Sequence, residues 1–301
     1  MKTKKTHKPE SADEHAAAVA APETLIKDYV PSPDYPAYRI EPGHKLDLSE
    51  RDPDASEHYN RKQDVKEELK RQRDRIADLQ ARLYGEGERS LLIVLQATDS
   101  GGKDGTIKDV FRSVNPQGCQ VHAFKVPGSE DVSHDFLWRY HQKTPARGMI
   151  TIFNRSHYED VLVVRVKKLM PEDVWRERYR MINEWEHMLC LNSTTIVKFF
   201  LHISKDEQKR RLQSRVDDPI KHWKFSSNDL KEREHWDAYQ LAFQDAIAKC
   251  STPYAPWYVV PANKKWYRDL VVARTIADTL EALNPKYPDP EPGLHKVKIP
   301  D

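Results

Sequence analysis

"LLIVLQATDSGGKDGT" runs from Leu91 to Thr106, and its reading decides the fold. Residues 91–97 form a nearly continuous apolar run, as a strand buried on both faces of a parallel sheet requires. Gly101 and Gly102 then turn the chain into a helix expected from about Gly102 to Ser113. The pattern is close to the phosphate loop G-x-x-x-x-G-K-[ST], with two departures. The first glycine is replaced by Ala97, and the hydroxyl after the lysine by Asp104. Paired glycines let a backbone approach its ligand closely, and the free N–H groups at a helix start favour anions. A lysine at that positive end makes sense when an anion is bound there. Gly101, Gly102, Lys103, Asp104, Gly105 and Thr106 are therefore candidate phosphate-binding residues. An ordinary glycine-rich turn is the plain alternative.

The loop also carries Asp99. A carboxylate beside a phosphate chain is repulsive unless a cation lies between them. Mg²⁺ accepts carboxylate and phosphate oxygens together, so the acids imply magnesium, with Mn²⁺ as a substitute. Asp99 is a candidate metal ligand that also serves to orient an attacking phosphate oxygen. Asp104 either joins it or stabilises the first helical turn.

Working outward, strands and helices alternate. Strands are expected at 119–126, 148–154, 194–204 and 257–262. Helices are expected at about 57–84, 130–143, 158–168, 171–191 and 264–283. This alternation predicts an α/β fold with a central parallel five-stranded sheet flanked by helices. In the helix at 57–84, Val65, Leu69, Ile76, Leu79 and Leu83 share a face. That face packs on its own domain or, alternatively, on another copy. Residues 1–55 and 285–301 are rich in proline and charge and are expected to be mostly irregular. The folded domain thus spans about 56–284.

Ligands of such sheets bind beyond the carboxyl ends of the strands. A second chemically rich segment, "FNRSHYEDVLVVRV" from Phe153 to Val166, ends a strand there. Phosphoryl transfer needs cations to stabilise spreading charge and acids to hold magnesium. Asn154, Arg155, Glu159 and Asp160 stand in a suitable order, while Ser156 and Glu159 also fit a capping box. Further on, Lys209, Arg210, Arg211, Arg215, Lys221 and Lys224 cluster around the helix break Asp217-Asp218-Pro219. Residues 205–240 read as a lid. Lys209 and Arg210 read as a solvated face, whereas Arg215, Lys221 and Lys224 flank the break and suit phosphate.

Composition bounds the rest. The 301 residues carry a net charge of +2, so a polyanion site must be a local cluster rather than a bulk field. The three cysteines form no C-x-x-C pair, which fits a reducing cytoplasm and neither a zinc ribbon nor a disulfide framework. No apolar run reaches the length of a membrane span, and the basic start lacks the apolar segment of a secretory signal.

Together "DSGGKDGT" (99–106), "VNPQGCQV" (114–121), "HDFLWR" (134–139), "GMITIFNRSHYEDVLVVRV" (148–166) and "DDPIKHWKFSSNDLKERE" (217–234) resemble the polyphosphate kinase 2 family over about 61–283. The "FNRSHYEDV" form resembles its class III branch; other branches tend to carry Asp at the position of Asn154. The resemblance implies a P-loop kinase core with a helical lid. It implies Mg²⁺-dependent phosphoryl transfer between inorganic polyphosphate and nucleotides, with AMP and ADP ending at ATP. By motif matching, Asp99, Gly102, Lys103, Arg155 and Arg215 take the family's phosphate, metal and catalytic positions. Glu159 and Asp160 match its nucleotide and metal side, and Asn154 lies with them. A homo-oligomer is expected, with neither nucleic acid nor membrane as partner. Two other readings remain at this point: an ATP-dependent nucleoside monophosphate kinase, and a nucleic-acid binder using the basic segment.

Overall fold

All seven residues of Ser90–Gln96 are buried, because this strand lies inside a sheet covered on both faces. Leu91, Ile93 and Leu95 enter one core, while Leu92 and Val94 enter the other. That two-sided burial is why the run shows no alternation. The computed structural model describes residues 38–300. Its strands are β1 (Arg39–Ile40), β2 (Ser90–Gln96), β3 (Cys119–Ala123), β4 (Ile150–Asn154), β5 (Thr194–His202) and β6 (Trp257–Pro261). Their order is β1-β6-β5-β2-β4-β3. The five expected strands are all parallel.

The sixth strand corrects the expected count. β1 adds antiparallel to β6, with Ile40 opposite Trp257. Two residues are too short for a periodic signal. Ile40, Leu46 and Leu48 are buried, and Ser251 Oγ donates to the Ile40 carbonyl. Residues 38–55 are otherwise mostly turns and coil, as expected, and residues 1–37 lie outside the described residues. The tail at 285–300 is exposed almost throughout, with one short 3₁₀ turn at Leu294–Lys296.

The helices are α1 (Lys66–Glu86), α2 (Lys103–Val110), α3 (Ser129–Val132), α4 (Trp138–His141), α5 (Glu159–Val166), α6 (Glu172–Leu191), α7 (Lys205–Asp217), α8 (Ser227–Glu234), α9 (Trp236–Cys250) and α10 (Lys265–Leu283). α1 begins later than expected, after a 3₁₀ turn at Lys62–Val65. Its apolar face is buried against α10 and the sheet, and Arg75 Nη2 reaches Asp278 Oδ1 at 3.0 Å. The face expected to pack on its own domain does so.

The amphipathic helix expected at 130–143 is a correction: the segment holds only the two short helices α3 and α4. Side chains there cap and end short helices instead of leaving one continuous ladder. Asp131 accepts the Gly128 N–H at 2.8 Å, Ser133 Oγ donates to the Glu130 carbonyl at 2.7 Å, and Asp135 accepts the Leu137 N–H at 2.9 Å. Val132 is left exposed.

In the segment expected as a lid, Ser204 caps α7 through the Glu207 N–H at 3.1 Å. Pro219 ends the helix path, and Asp218 starts a 3₁₀ turn, Pro219–Lys224, by accepting the Ile220 N–H at 3.1 Å. Among the described residues no helix is long and apolar enough to cross a membrane.

Candidate active site

β2 lies between β4 and β5, so the loops after β2 and β4 leave the sheet side by side. The turn after β2 is closed by the Gly101 N–H donating to the Thr98 carbonyl at 3.0 Å. A Cβ on Gly101 would sit 2.4 Å from the Ala97 methyl. Ala97 is thus accommodated where the pattern has glycine because residue 101 has no side chain. Gly102 adopts φ +104°, and a Cβ there would meet Arg268 Nη1 at 2.2 Å. The loop therefore requires both glycines.

Lys103 opens α2, and its Nζ lies 3.5 Å from the Ala97 carbonyl oxygen. Burial, and next the nearby Arg155 guanidinium, pull its ammonium below the ordinary lysine range; Asp99, Glu159 and Asp104 oppose them. Glu159 is shifted the other way: burial raises its carboxyl, against the pull of Arg155 and Lys103.

The structure brings most of the expected residues together. Arg155 Nη2 pairs with Asp99 Oδ1 at 3.1 Å, although the two lie on different loops. Arg155 holds φ +63°, a left-handed conformation unusual for arginine, and its N–H donates to the Leu95 carbonyl at 3.1 Å. Asn154 Nδ2 donates to Asp104 Oδ1 at 2.6 Å. Arg215 Nη1 binds Asp229 Oδ2 at 2.9 Å, and Lys221 Nζ reaches Ser214 Oγ at 3.0 Å.

Two cavities open here. The first, about 680 Å³, is walled by loop residues 99–105 and by Lys108, Lys125, Arg155, Arg215, Lys221, Lys224 and Lys265. The second, about 360 Å³, has aromatic walls from Phe124, Tyr140, Trp236, Tyr239 and Phe243, with Glu159 and Asp160 on one side. Asp99, Phe124, Lys125, Arg155 and Asp229 belong to both linings. The Asp99–Arg155 pair thus stands at the seam.

Thr106 does not reach the cavity. Its side chain is buried, and its hydroxyl donates to the Gly102 carbonyl at 3.2 Å, so it braces the loop from within. Asp160 lines the second cavity with both oxygens engaged: Oδ1 with Arg178 Nη1 at 3.0 Å, and Oδ2 with the Tyr140 hydroxyl at 3.1 Å. Burial raises its carboxyl to about 6. The capping box expected from Ser156 and Glu159 does not form. Ser156 Oγ instead accepts the Tyr158 N–H and Gln96 Nε2, each at 3.3 Å.

Sequence reasoning missed the supports. Beneath 154–160, Lys198 Nζ is buried against Glu186 Oε2 at 2.5 Å and the Tyr158 hydroxyl at 2.9 Å, while His157 Nε2 meets Glu186 Oε1 at 3.1 Å. Beneath the glycine loop lie Arg211 and Arg268, both buried, each with a carboxylate: Glu207 and Asp269. A lysine inside an apolar strand, "IVKFF" at 196–200, was the one visible signal of the first support. Arg268 carried no such signal.

A parallel sheet whose glycine loop opens a helix into a cation-walled cavity, beside an aromatic one, defines a P-loop kinase-like phosphotransferase. Comparison with known proteins narrows the class. The family model described as Polyphosphate kinase 2 matches residues 59–288. The AMP/ADP-polyphosphate phosphotransferase of Meiothermus ruber is 52% identical over 263 residues, covering 87% of this chain and 98% of that protein. The ADP-polyphosphate phosphotransferase of Rhodopseudomonas palustris is 43% identical over 271 residues, covering 86% and 94%. The crystal structure of polyphosphate kinase 2 from Arthrobacter aurescens superposes with a TM-score of 0.83 at 44% identity, covering 86% of this chain and 93% of that one. The chain belongs to the polyphosphate kinase 2 family.

Proposed function

We propose that this enzyme transfers the terminal phosphoryl group of inorganic polyphosphate to AMP and ADP, forming ADP and ATP. The single observation that carries the reading is the Asp99–Arg155 pair at the seam of the two cavities. The cation-walled cavity suits a linear polyanion. The aromatic one suits a nucleoside, because flat apolar rings pack on aromatic faces. Phosphates of both substrates then converge on Asp99 and Arg155. The relatives named for AMP and ADP, or for ADP, support both acceptors.

In the transfer, the free N–H groups at the start of α2 and the Lys103 ammonium bind the donor phosphates. Arg155 and Arg215 stabilise charge developing on the transferred group, a role worth about 10³–10⁵ in rate. Lys221 and Lys224, from the lid, hold the chain further along. Asn154 donates to Asp104 on the wall of the polyanion cavity and so engages one oxygen of its carboxylate.

The residues present fit a magnesium ion. Mg²⁺ takes one or two carboxylates and completes its shell with water and substrate oxygens. Asp99 commits only Oδ1 to Arg155, and Glu159 faces the same region. Asp99 and Glu159 would hold the ion, which when bound neutralises phosphate charge; Asp160 is better assigned to holding Arg178 in place.

The test is nucleotide formation with polyphosphate as the only donor. ATP from ADP, and ADP then ATP from AMP, is expected with Mg²⁺ and lost with a chelator. Phosphorylation of AMP by ATP but not by polyphosphate would instead indicate a nucleoside monophosphate kinase. Salt-dependent RNA binding without transfer would indicate a nucleic-acid binder.

A further inference from the structure

We propose that Arg211 is a positioning residue for the reaction, clamping the glycine loop to the 262–263 segment so that the Gly102 amide faces the cation-walled cavity. The inference rests on the reading above only in placing phosphate at that loop.

A guanidinium has five N–H donors. Arg211 has an acceptor for each. Nε donates to Glu207 Oε1 at 2.6 Å. Nη1 donates to the Ser100 and Gly101 carbonyls at 3.1 and 2.8 Å. Nη2 donates to the Ala262 and Asn263 carbonyls at 2.5 and 3.2 Å. The side chain is 7% exposed. Arg211 therefore lines the cavity without a donor left for phosphate, unlike the lid cations Lys221 and Lys224.

Its effect reaches the substrate through the peptide unit. The carbonyl of Gly101 and the N–H of Gly102 share one plane and point in opposite directions. Drawing the carbonyl down to Arg211 turns the Gly102 N–H the other way. That N–H meets no acceptor among the described residues. The far side of the clamp is itself fixed. The Ala262 N–H donates to the His202 carbonyl at 2.8 Å, and the Asn263 N–H to the Pro53 carbonyl at 3.1 Å. Asn263 Oδ1 accepts the Ser204 N–H at 3.0 Å. The loop is thus tied to the ends of β5 and β6. Lysine cannot replace this arrangement, because its compact ammonium has three donors and no fork.

The experiment compares wild type, Arg211→Lys and Arg211→Ala for turnover, for KM of each substrate and for melting temperature. A misplaced loop is expected to cost about 100-fold in kcat. KM for polyphosphate should rise while KM for ADP stays near wild type. Added guanidinium, well below denaturing concentration, should restore activity to Arg211→Ala and leave wild type unchanged. Tripolyphosphate should raise the melting temperature of wild type but not of Arg211→Lys, a readout that needs no turnover. Should Arg211→Ala fail to fold, Arg211→Lys decides through its KM split and its response to tripolyphosphate.

Wild-type kinetics in folded Arg211→Lys, with a normal tripolyphosphate shift, would overturn the proposal. So would an activity loss that only follows the folded fraction and ignores guanidinium. A wild type that makes no ATP from polyphosphate would instead refute the functional reading, and the tripolyphosphate shift would still judge Arg211.

Discussion

Arg155 Nη2 and Asp99 Oδ1 meet at 3.1 Å, joining the loop after β4 to the loop after β2 where the two cavities touch. Arg155→Ala is expected to lower kcat by about 10³–10⁵ with the fold intact. Initial rates of ATP formation, alongside a melting curve, check it. Arg155→Lys should fall between, since it keeps the charge and loses the planar fork. Near-normal turnover in the alanine variant would remove Arg155 from the transfer step.

Asn154 donates to Asp104 at 2.6 Å, so Asn154→Asp would set carboxylate against carboxylate. The added negative charge on the wall of the polyanion cavity should raise KM for polyphosphate and the Mg²⁺ concentration at half-maximal rate. Asp104→Asn in the same chain should restore much of both. A double-mutant cycle of KM values measures the coupling, and independence of the two changes would contradict it.

Gly102→Ala combines a left-handed φ of +104° with a contact on buried Arg268. It is expected to cost roughly 1–3 kcal/mol of stability and to disturb the loop. Gly101→Ala would press on the Ala97 methyl and on the Thr98 carbonyl oxygen, so Ala97→Gly in the same chain should relieve it only in part. Denaturant melts of the single and double variants separate the two effects.

His202 ends β5 and lines neither cavity. Its Nε2–H donates to the Arg51 carbonyl at 3.1 Å, tying down the 38–55 segment. Burial depresses its imidazole below the usual 6.5, opposed by its bonds to the backbone of Arg51 and Leu48. The unfolded chain therefore takes up the proton first as pH falls. The stability that neutral His202 contributes is fully present above pH 6.5 and drains away as pH falls toward the folded value. Melting temperatures from pH 7.5 down should show this loss, and His202→Asn should flatten it; identical slopes would contradict it.

The parallel strands were legible because β2, β5 and β6 are buried on both faces and so read as apolar runs. β1 escaped because two residues carry no periodicity. The broken helix at 130–143 escaped because Asp131, Ser133 and Asp135 bond locally to the backbone, which hydrophobic spacing does not register. In the site, Asp99, Lys103 and Arg155 were legible as charges out of place for a bare turn. Arg211 sat among exposed cations on one helix, and only its depth in the fold separates it from Arg210. Thr106 matched the expected loop chemistry but is turned inward by its place on α2.

The central claim is that donor and acceptor occupy adjoining cavities together and exchange the phosphoryl group directly across Asp99 and Arg155. Initial rates measured over a grid of polyphosphate and ADP concentrations test it most directly. Intersecting double-reciprocal lines, with no phosphorus retained on the protein after reaction with polyphosphate alone, are expected. Parallel lines with a phosphorylated enzyme would contradict it.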